Sequence, residues 1–239
     1  MALRAGRGRE SGIIMREVVL DTETTGLDPN TGDRIIEIGC VELINHMPSG
    51  ETYQQYINPG RDIPAESFRI HGLSEAFLGD YPGFAEIVDG FLDFIGDDKL
   101  VIHNAAFDIK FINAELERLG FATLPITRAI DTVQIARTRH PGASASLDDL
   151  CRRFGIDNTS RTLHGALLDS SLLSEVYLDL IGAREPGFNL TAQDSGSVTL
   201  PQQSDRVARP ARPHSPSLAE LAAHEILVTR LDDPVWQKT

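Results

Sequence analysis

The stretch Glu17-Val-Val-Leu-Asp-Thr-Glu-Thr-Thr-Gly26 decides how this sequence folds. Its first half is apolar and β-branched and runs into turn-forming residues, a pattern typical of a strand that ends before Gly26. Side chains two residues apart on a strand point to the same face, so Asp21 and Glu23 lie side by side while Thr22 faces away. Carboxylates this close repel each other unless a cation lies between them, and hard divalent ions prefer oxygen ligands. The alternative interpretation is a pair of turn-initiating acids.

Strand patterns come first along the chain and helix patterns come later. The strand patterns lie at residues 17–21, 34–44, 52–58 and 100–104, and the first three are spaced closely enough for an antiparallel meander. The helix patterns lie at residues 84–95, 106–119, 132–139, 147–154 and 166–181. Ser146 is predicted to cap the helix at 147–154. This order predicts an α/β fold, a mixed sheet of about five strands flanked by helices.

The length of 239 residues allows one well-cored domain with an appendage. Residues 1–14, rich in Gly and Arg, are predicted to be a disordered extension ahead of a folded domain at 15–185. The Ser-, Gln- and Pro-rich segment at 186–216 is predicted to be a flexible linker. A tail at 217–239 contains a short helix behind Ser217, and such a helix is marginal alone and usually docks on a partner.

Composition excludes several classes of protein. No apolar run approaches the roughly 20 residues of a membrane helix, and the first residues lack a signal-peptide core, so we expect a cytoplasmic protein with no membrane partner. Cys40 and Cys151 have neither the number nor the spacing of a disulfide framework or zinc site, which predicts two reduced, packed thiols. The net charge of −13 argues against DNA binding through a basic surface. An acidic protein can still act on phosphodiesters where metal ions supply positive charge and a partner supplies affinity for DNA.

Two further acids and one histidine are candidates for the same site. Asp108 follows the predicted strand at 100–104, and sites of α/β sheets form just beyond strand ends, although acids are also common in first helical turns. His164 and Asp169 would lie about 140° apart in a regular helix, given its period of 3.6 residues. His164 is therefore placed on the preceding loop or cap, with Gly165 letting it fold back toward Asp169.

Other polar residues receive structural interpretations. Asp131 is predicted to be the N-cap of the helix at 132–139, and His103 to pack beside the end of the strand at 100–104. The remaining histidines lack acidic company and are given no role: His46, His140, His214 and His224.

Three motifs in order carry a resemblance to a known family. D-T-E-T-T-G at 21–26, H-N-A-A-F-D at 103–108 and H-G-A-L-L-D at 164–169 resemble the exonuclease motifs of the DnaQ-like, or DEDDh, family, which has a ribonuclease H-like fold. The likeness spans about residues 15–182. Within the family it is greatest to the epsilon proofreading subunits of bacterial DNA polymerase III, through V-I-H-N-A-A-F-D, S-L-D-D-L-C and T-L-H-G-A-L-L-D and through A-A-H-E in the tail.

The resemblance implies a 3′→5′ exonuclease domain that removes mispaired 3′-terminal nucleotides as nucleoside 5′-monophosphates. Two divalent ions, Mg²⁺ or Mn²⁺, would be held by the four acids of the motifs, Asp21, Glu23, Asp108 and Asp169. His164 would take the proton of the attacking water.

The resemblance also implies a substrate-side loop at residues 64–72. In that loop Glu66 and His71 match positions that contact the terminal nucleotide, and three of the metal-binding acids share this contact: Asp21, Glu23 and Asp169. From the residues alone, a solvated Glu and a turn His before Gly72 are an equally good interpretation of the segment.

The expected partners are the single-stranded or frayed 3′ end of DNA and the catalytic (alpha) subunit of the polymerase, bound through the tail. The family also places a sliding-clamp contact near residues 187–190, but the residues there depart from its pattern. Two alternatives stay open. One is an RNA-trimming exonuclease of the ribonuclease T or oligoribonuclease type, which lacks a long linker and tail. The other is a catalytically silent adapter that stabilises a polymerase, although an adapter has no need to crowd carboxylates.

Overall fold

The structure, a computed structural model, describes residues 15–161, 163–183 and 215–230, which belong to two compact units divided after residue 188. The strands of the first unit are β1 Arg16–Thr24, β2 Ile35–Ile44, β3 Met47–Tyr56, β4 Lys99–Ile102 and β5 Ala129–Asp131. Its helices are α1 Ala65–His71, α2 Glu75–Leu78, α3 Phe84–Ile95, α4 Ala105–Arg118, α5 Thr132–Arg139, α6 Leu147–Phe154 and α7 Ala166–Ile181, with 3-10 turns at Pro29–Thr31 and Ile126–Arg128. The second unit contains α8 Leu218–Val228.

The five strands form one mixed sheet in the order β3-β2-β1-β4-β5. β1, β2 and β3 pair antiparallel, as the predicted meander requires, while β4 runs parallel to both β1 and β5. β1 is therefore central, and its carboxyl end lies beside that of β4, where Leu20 pairs with Ile102. This is the mixed sheet flanked by helices that the sequence predicts.

Both faces of the sheet are covered, so the central strand is buried on both sides. Val18 and Leu20 point into a core shared with α3 and α4. Val19, between them, points into a second core shared with α5, α6 and α7. A continuous apolar run is what a strand between two helix layers needs, and Val18-Val19-Leu20 supplies it. Cys40 and Cys151 are buried free thiols, one in each core, as predicted.

The predicted helices are confirmed, with α3, α5, α6 and α7 at their predicted bounds and α4 displaced by one residue. Ser146 caps α6 by accepting from the Asp149 N–H, and Asp131 caps α5 by accepting from the Val133 N–H. The strand predicted at 100–104 ends at Ile102, because the backbone then turns through Asn104, whose φ is +68°. β5 and α2 were not predicted; they have three and four residues, too few to show a period.

The prediction of a loop at residues 64–72 is wrong about the conformation, since Ala65–His71 forms the helix α1. The sequence does not indicate this helix, because its N-cap residue, Pro64, makes no side-chain capping bond.

The prediction that His46 lacks acidic company is also wrong. His46 Nδ1 lies 2.7 Å from Glu17 Oε2, and the Tyr177 hydroxyl donates to Glu17 Oε1 at 2.8 Å. Glu17 belongs to β1 and is buried, so these two partners satisfy a charge that would otherwise lie unpaired beneath α7. The residues are 29 and 160 positions apart from Glu17, which no local pattern reveals.

Several predictions fall outside the described residues. The extension at 1–14, the possible clamp contact at 187–190 and His214 lie there, as do all but two residues of the linker at 186–216. In the described ranges, no helix has both the length and the apolar composition to cross a bilayer.

A glycine fixes how closely α7 approaches the sheet. A Cβ on Gly39 of β2 would lie 2.2 Å from the backbone of Ala166 and Leu167. The approach is held by hydrogen bonds: the Ala166 N–H donates to Glu37 Oε2 at 3.2 Å, and Ser170 Oγ donates to the Gly39 carbonyl at 2.8 Å. Gly39 is also the cross-strand partner of Asp21, so this contact brings the start of α7 to the end of β1.

We predict that Gly39→Ala lowers the free energy of unfolding by about 1–3 kcal/mol or more, because the added methyl group forces α7 away from β2. Urea unfolding followed by circular dichroism measures the change. Gly90→Ala is the matched control: Gly90 lies exposed in α3 with no atom within 4 Å of an added Cβ. An alanine in a helix interior stabilises by about 0.5–1 kcal/mol, so equal losses in the two variants would contradict the packing argument.

Candidate active site

The predicted acids meet at the carboxyl end of β1. Asp21 and Glu23 project from the β1 face that carries Val19, toward α7, as the two-residue period predicts. Thr22 points to the opposite face, where its hydroxyl donates to Asp108 Oδ1 at 2.7 Å. Asp108 is buried in the first turn of α4, so a strand residue with no predicted role positions the third acid.

The start of α7 supplies the fourth acid and the histidine. Asp169 is buried in the first turn of α7, and His164 lies on the preceding loop with Nδ1 3.4 Å from Asp169 Oδ2. His164 therefore lies on the loop before α7, as predicted. Gly165 is not the reason for it, since its backbone is extended (φ −155°) and a Cβ there would meet nothing within 4 Å. Instead, the His164 N–H donates to the Ile70 carbonyl of α1 at 3.1 Å.

The carboxylates are crowded enough to perturb each other's ionisation. Burial, followed by the charges of Asp169 and Glu37, raises the pKa of Glu23 to about 8. The carboxyl of Asp21 keeps some exposed surface, yet it is largely desolvated, and its pKa is raised well above its usual value by burial and by Asp108 and Glu23. Burial raises the pKa of Asp108 to about 7, although the hydrogen bond from Thr22 opposes the change. The cluster therefore resists carrying its full negative charge without a cation.

Asp169 behaves differently because a cation already touches it. Burial alone would raise the pKa of this carboxyl, but the hydrogen bonds from Arg161, together with the neighbouring His164 ring, lower it below its usual value. Arg161 donates Nε–H to Asp169 Oδ1 at 2.6 Å and Nη2–H to Oδ2 at 2.7 Å. Arg161 was not predicted, because it lies on a loop eight residues before its partner and belongs to no periodic pattern.

The donor set suits a hard divalent cation. One ligand atom each from Glu23, His164 and Asp169 lies within 4.8 Å of the others, with the carboxylates of Asp21 and Asp108 adjoining. Carboxylate oxygens are the ligands that Mg²⁺ and Mn²⁺ prefer. The mutual repulsion of the acids supplies the reason for a positive ion to bind there.

A cavity of about 590 Å³ lies at the acids and His164. The predicted substrate-side residues Glu66 and His71 line it too. His71 is buried, and its Nδ1 accepts the Leu73 N–H at 3.0 Å, so the proton of the neutral ring is on Nε2. That Nε2 has no hydrogen-bond partner among the described residues, and burial, with the charge of His164 adding to it, lowers the pKa of His71 to about 4. Glu66 lies at the exposed edge of the cavity, 3.9 Å from Arg69.

The remaining cavity wall mixes turn residues and apolar side chains. His103 Nδ1 bonds the Thr132 hydroxyl at 2.9 Å, which confirms that it packs at the end of β4, and it also lines the cavity. Leu27, Ile70 and Phe107 give the wall an apolar surface. A second cavity, of about 640 Å³, lies between the β2-β3 hairpin and α7, but none of the predicted site residues lines it.

Comparison with known proteins agrees with this geometry. The profile of the exonuclease family RNase_T matches residues 18–177. A protein of Rickettsia conorii named DNA polymerase III subunit epsilon is 45% identical over 222 residues, covering 91% of this chain and 96% of that protein. A protein of the same name from Escherichia coli is 43% identical over 233 residues, covering 93% of this chain and 94% of that protein.

Solved structures show the same fold. Exonuclease X in complex with 5′ overhanging duplex DNA superposes with a TM-score of 0.56 at 25% identity, covering 70% of this chain and 92% of that one. The nuclease domain of 3′hExo, a DEDDh family member bound to rAMP, superposes with a TM-score of 0.63 at 18% identity, covering 72% and 94%. With the motifs, the sheet order and these relatives in agreement, the chain belongs to the exonuclease family, within which it is a relative of the DNA polymerase III epsilon subunits.

Proposed function

We propose that the cavity at the end of β1 is a two-metal 3′→5′ exonuclease site that removes mispaired terminal nucleotides for a bacterial replicative DNA polymerase. The observation that carries the proposal is the convergence of four acids and one histidine, from three distant motifs, at one edge of the sheet. Similarity over more than nine-tenths of the chain to proteins named DNA polymerase III subunit epsilon supports the polymerase context. Such a role predicts a cytoplasmic location.

Two divalent ions, Mg²⁺ or Mn²⁺, would be held by Asp21, Glu23, Asp108 and Asp169. When bound there, such ions polarise the phosphodiester, lower the pKa of water and neutralise charge on the leaving oxygen. The chain supplies the geometry: Thr22 fixes Asp108, and Gly39 lets α7 bring Asp169 within reach of Glu23.

His164 is placed to act as the general base. Its side chain is 47% exposed, so the ring reaches both the buried acids and water at the cavity. A neutral imidazole has one ring nitrogen without a proton, which can accept the proton of a water molecule. The proton of the attacking water would pass to this ring, and its hydrogen bond through the backbone to Ile70 holds the loop in place.

The substrate end of the cavity would bind the last nucleotide. His71, held neutral with its proton on Nε2, offers a donor to an oxygen of that nucleotide, and Glu66 stands at the exposed edge. Asp21, Glu23 and Asp169 would reach it through the ions they hold. The apolar wall, including Leu27 and Ile70, suits an unpaired base rather than a base pair. A mispaired end frays more easily than a matched one, so selectivity comes from the substrate.

The two alternatives are separated by particular observations. A silent adapter has no reason to keep a crowded, desolvated acid cluster beside a histidine. The RNA-trimming alternative gains some support from the likeness to 3′hExo, which was crystallised with rAMP. Against it, the similarity to relatives named as polymerase subunits covers 91% and 93% of this chain, which is more than the catalytic domain alone.

We predict that the purified chain with Mg²⁺ or Mn²⁺ shortens 5′-labelled DNA primers from the 3′ end, faster at a mispaired than at a matched terminus. EDTA should stop the reaction. The double variant Asp21→Asn, Glu23→Gln should keep its circular dichroism spectrum and lose activity, while His164→Gln should slow hydrolysis by about 10²- to 10⁴-fold. His140→Gln, whose ring packs on Phe154, is the control for the loss of a histidine.

Each alternative has its own outcome in this assay. Degradation of an RNA oligomer with little action on either primer would establish the RNA-trimming alternative. Undiminished hydrolysis in EDTA, or by the double variant, would exclude the two-metal site.

The raised pKa of Glu23 predicts a pH dependence of stability in the metal-free protein. The folded carboxyl has a pKa of about 8 against an ordinary value of 4.5, so between these values the folded state keeps a proton that the unfolded state has released. Stability should therefore fall as pH rises through this window. Thermal unfolding in EDTA at pH 5.5 and pH 8 measures the fall. Glu23→Gln should make it smaller, whereas Glu51→Gln, on exposed β3, should not.

Added Mg²⁺ should raise the unfolding midpoint more at pH 8 than at pH 5.5, because the ion binds deprotonated ligands. An equal midpoint at both pH values in EDTA would contradict the carboxylate crowding.

We further propose that α8 attaches the nuclease to the polymerase catalytic subunit. The helix begins with a capping box in which Ser217 and Glu220 satisfy each other's backbone N–H groups. Leu218, Leu221 and Ile226 lie within one face by the helical period, and their side chains are 50–86% exposed. An exposed apolar stripe of this kind fits a groove on a partner protein.

We predict that Leu221→Asp abolishes co-purification with the catalytic subunit of the source bacterium's replicative polymerase while leaving hydrolysis of single-stranded DNA unchanged. Ala223→Asp is the matched control, because it adds the same charge on the other side of α8. Retention of the polymerase by Leu221→Asp would refute the docking role of this stripe.

A further inference from the structure

Arg161 is joined to the acid cluster through two hydrogen bonds to Asp169. Among the described residues it is the sole arginine or lysine that forms an ion pair with one of the four acids. Its side chain is 8% exposed and that of Asp169 is 4% exposed, so the pair is formed away from water. The bonds to the two oxygens of Asp169 form the bidentate, planar arrangement in which an arginine binds a carboxylate most strongly.

The guanidinium of Arg161 therefore pairs with Asp169, one of the four proposed metal ligands. Both oxygens of Asp169 accept an N–H from the guanidinium, and Asp169 is absent from the residues that line the cavity. A carboxylate has further lone pairs, so sharing with a metal ion is possible in principle. However, a divalent ion on the same oxygens would lie within a few ångströms of a guanidinium, and like charges at that separation repel.

The same guanidinium also contacts the imidazole ring of His164. Arg161 Nη2–H points at His164 Nδ1 across 2.9 Å, and only a nitrogen without a proton can accept that bond. The accepting lone pair is then unavailable to a water molecule. One side chain thus engages the metal ligand and the proton acceptor of the proposed site together.

A second anchor lies at the edge of the cluster. Arg161 Nη1–H donates to Asp148 Oδ1 at 2.8 Å, and Asn158 Nδ2–H donates to the same oxygen at 3.0 Å. Asp148 is in the first turn of α6 and its side chain is 49% exposed. The guanidinium can therefore leave Asp169 and keep an ionic partner without crossing to open solvent.

We propose that Arg161 is a resident counter-ion that holds Asp169 and His164 in the ion-free protein and must release Asp169 before divalent ions bind. It is a positioning residue, since it acts through Asp169 and His164. The inference rests on the proposed metal site and adds to it an exchange: the entering ions replace the arginine, which retains Asp148. Arg161 thereby holds Asp169 and His164 in position, and its competition for Asp169 weakens the binding of metal ions.

Arg161→Gln tests the exchange, with Mn²⁺ alone as the probe in the full-length chain. Isothermal titration after removal of bound metal should show Mn²⁺ binding about tenfold more tightly than in the wild type, because a competing cation is gone. The unfolding midpoint in EDTA should fall, since Asp169 loses its partner. Arg152→Gln is the matched control. It removes the same charge from α6, where Arg152 pairs with Asp149 at a site 76% exposed, and should leave both quantities unchanged.

Arg161→Lys keeps the charge but not the two-pronged geometry, so it should give an intermediate Mn²⁺ affinity. This variant carries the test if Arg161→Gln does not fold. Unchanged or weaker Mn²⁺ binding by both variants would overturn the counter-ion role, because it would mean that the arginine and the ions share Asp169. Absence of Mn²⁺ binding from wild type, control and both variants would instead overturn the metal site itself.

Discussion

Electrostatic repulsion at the end of β1 is the constraint around which this protein is organised. Asp21, Glu23 and Asp108 are carboxylates brought into a desolvated space, where burial raises the pKa of each and neighbouring acids add to the rise for Asp21 and Glu23. A fold optimised only for stability would not hold them together, since acids of this kind are normally paired or exposed. Their presence in one place agrees with the divalent-metal dependence that the exonuclease family implies.

The scaffold that enforces this crowding is rigid and largely apolar. β1 is fixed by antiparallel β2 on one side and parallel β4 on the other, and both of its faces are buried. α4 and α7 then meet its end from opposite faces, one through the bond from Thr22 to Asp108 and the other through contact with Gly39. The acids cannot relax apart without breaking these contacts, so the site is preorganised before any substrate arrives.

Much of this was predictable from the sequence because short-range periods govern it. The two-residue period of a strand placed Asp21 and Glu23 on one face, and the 3.6-residue period excluded His164 from the helix that carries Asp169. Side-chain caps marked the starts of α5 and α6. Helix α1 lacks such a cap and exposes Phe68 and Ile70, so its pattern did not distinguish it from a loop.

Contacts between distant segments had no comparable signal. Thr22 reaches Asp108 across 86 residues, and Glu17 finds Tyr177 across 160. Arg161 lies on a loop with no periodic pattern, and its partners are identified only when α6 and α7 are seen to converge. The positions of the acids followed from local chemistry, whereas the residues that hold or neutralise them depended on tertiary packing.

The hydrogen bond from the His164 backbone N–H to the Ile70 carbonyl links two parts of the cavity wall, so that a shift of one displaces the other. On one side of that bond is the helix carrying His71, and on the other is the loop carrying the candidate base. In the proposed mechanism, nucleotide recognition by His71 and proton transfer by His164 are therefore not independent of each other. Under that mechanism, evolution or engineering that reshapes α1 to favour a different terminal sugar or base would also displace His164, so a change in substrate preference would carry a change in turnover with it.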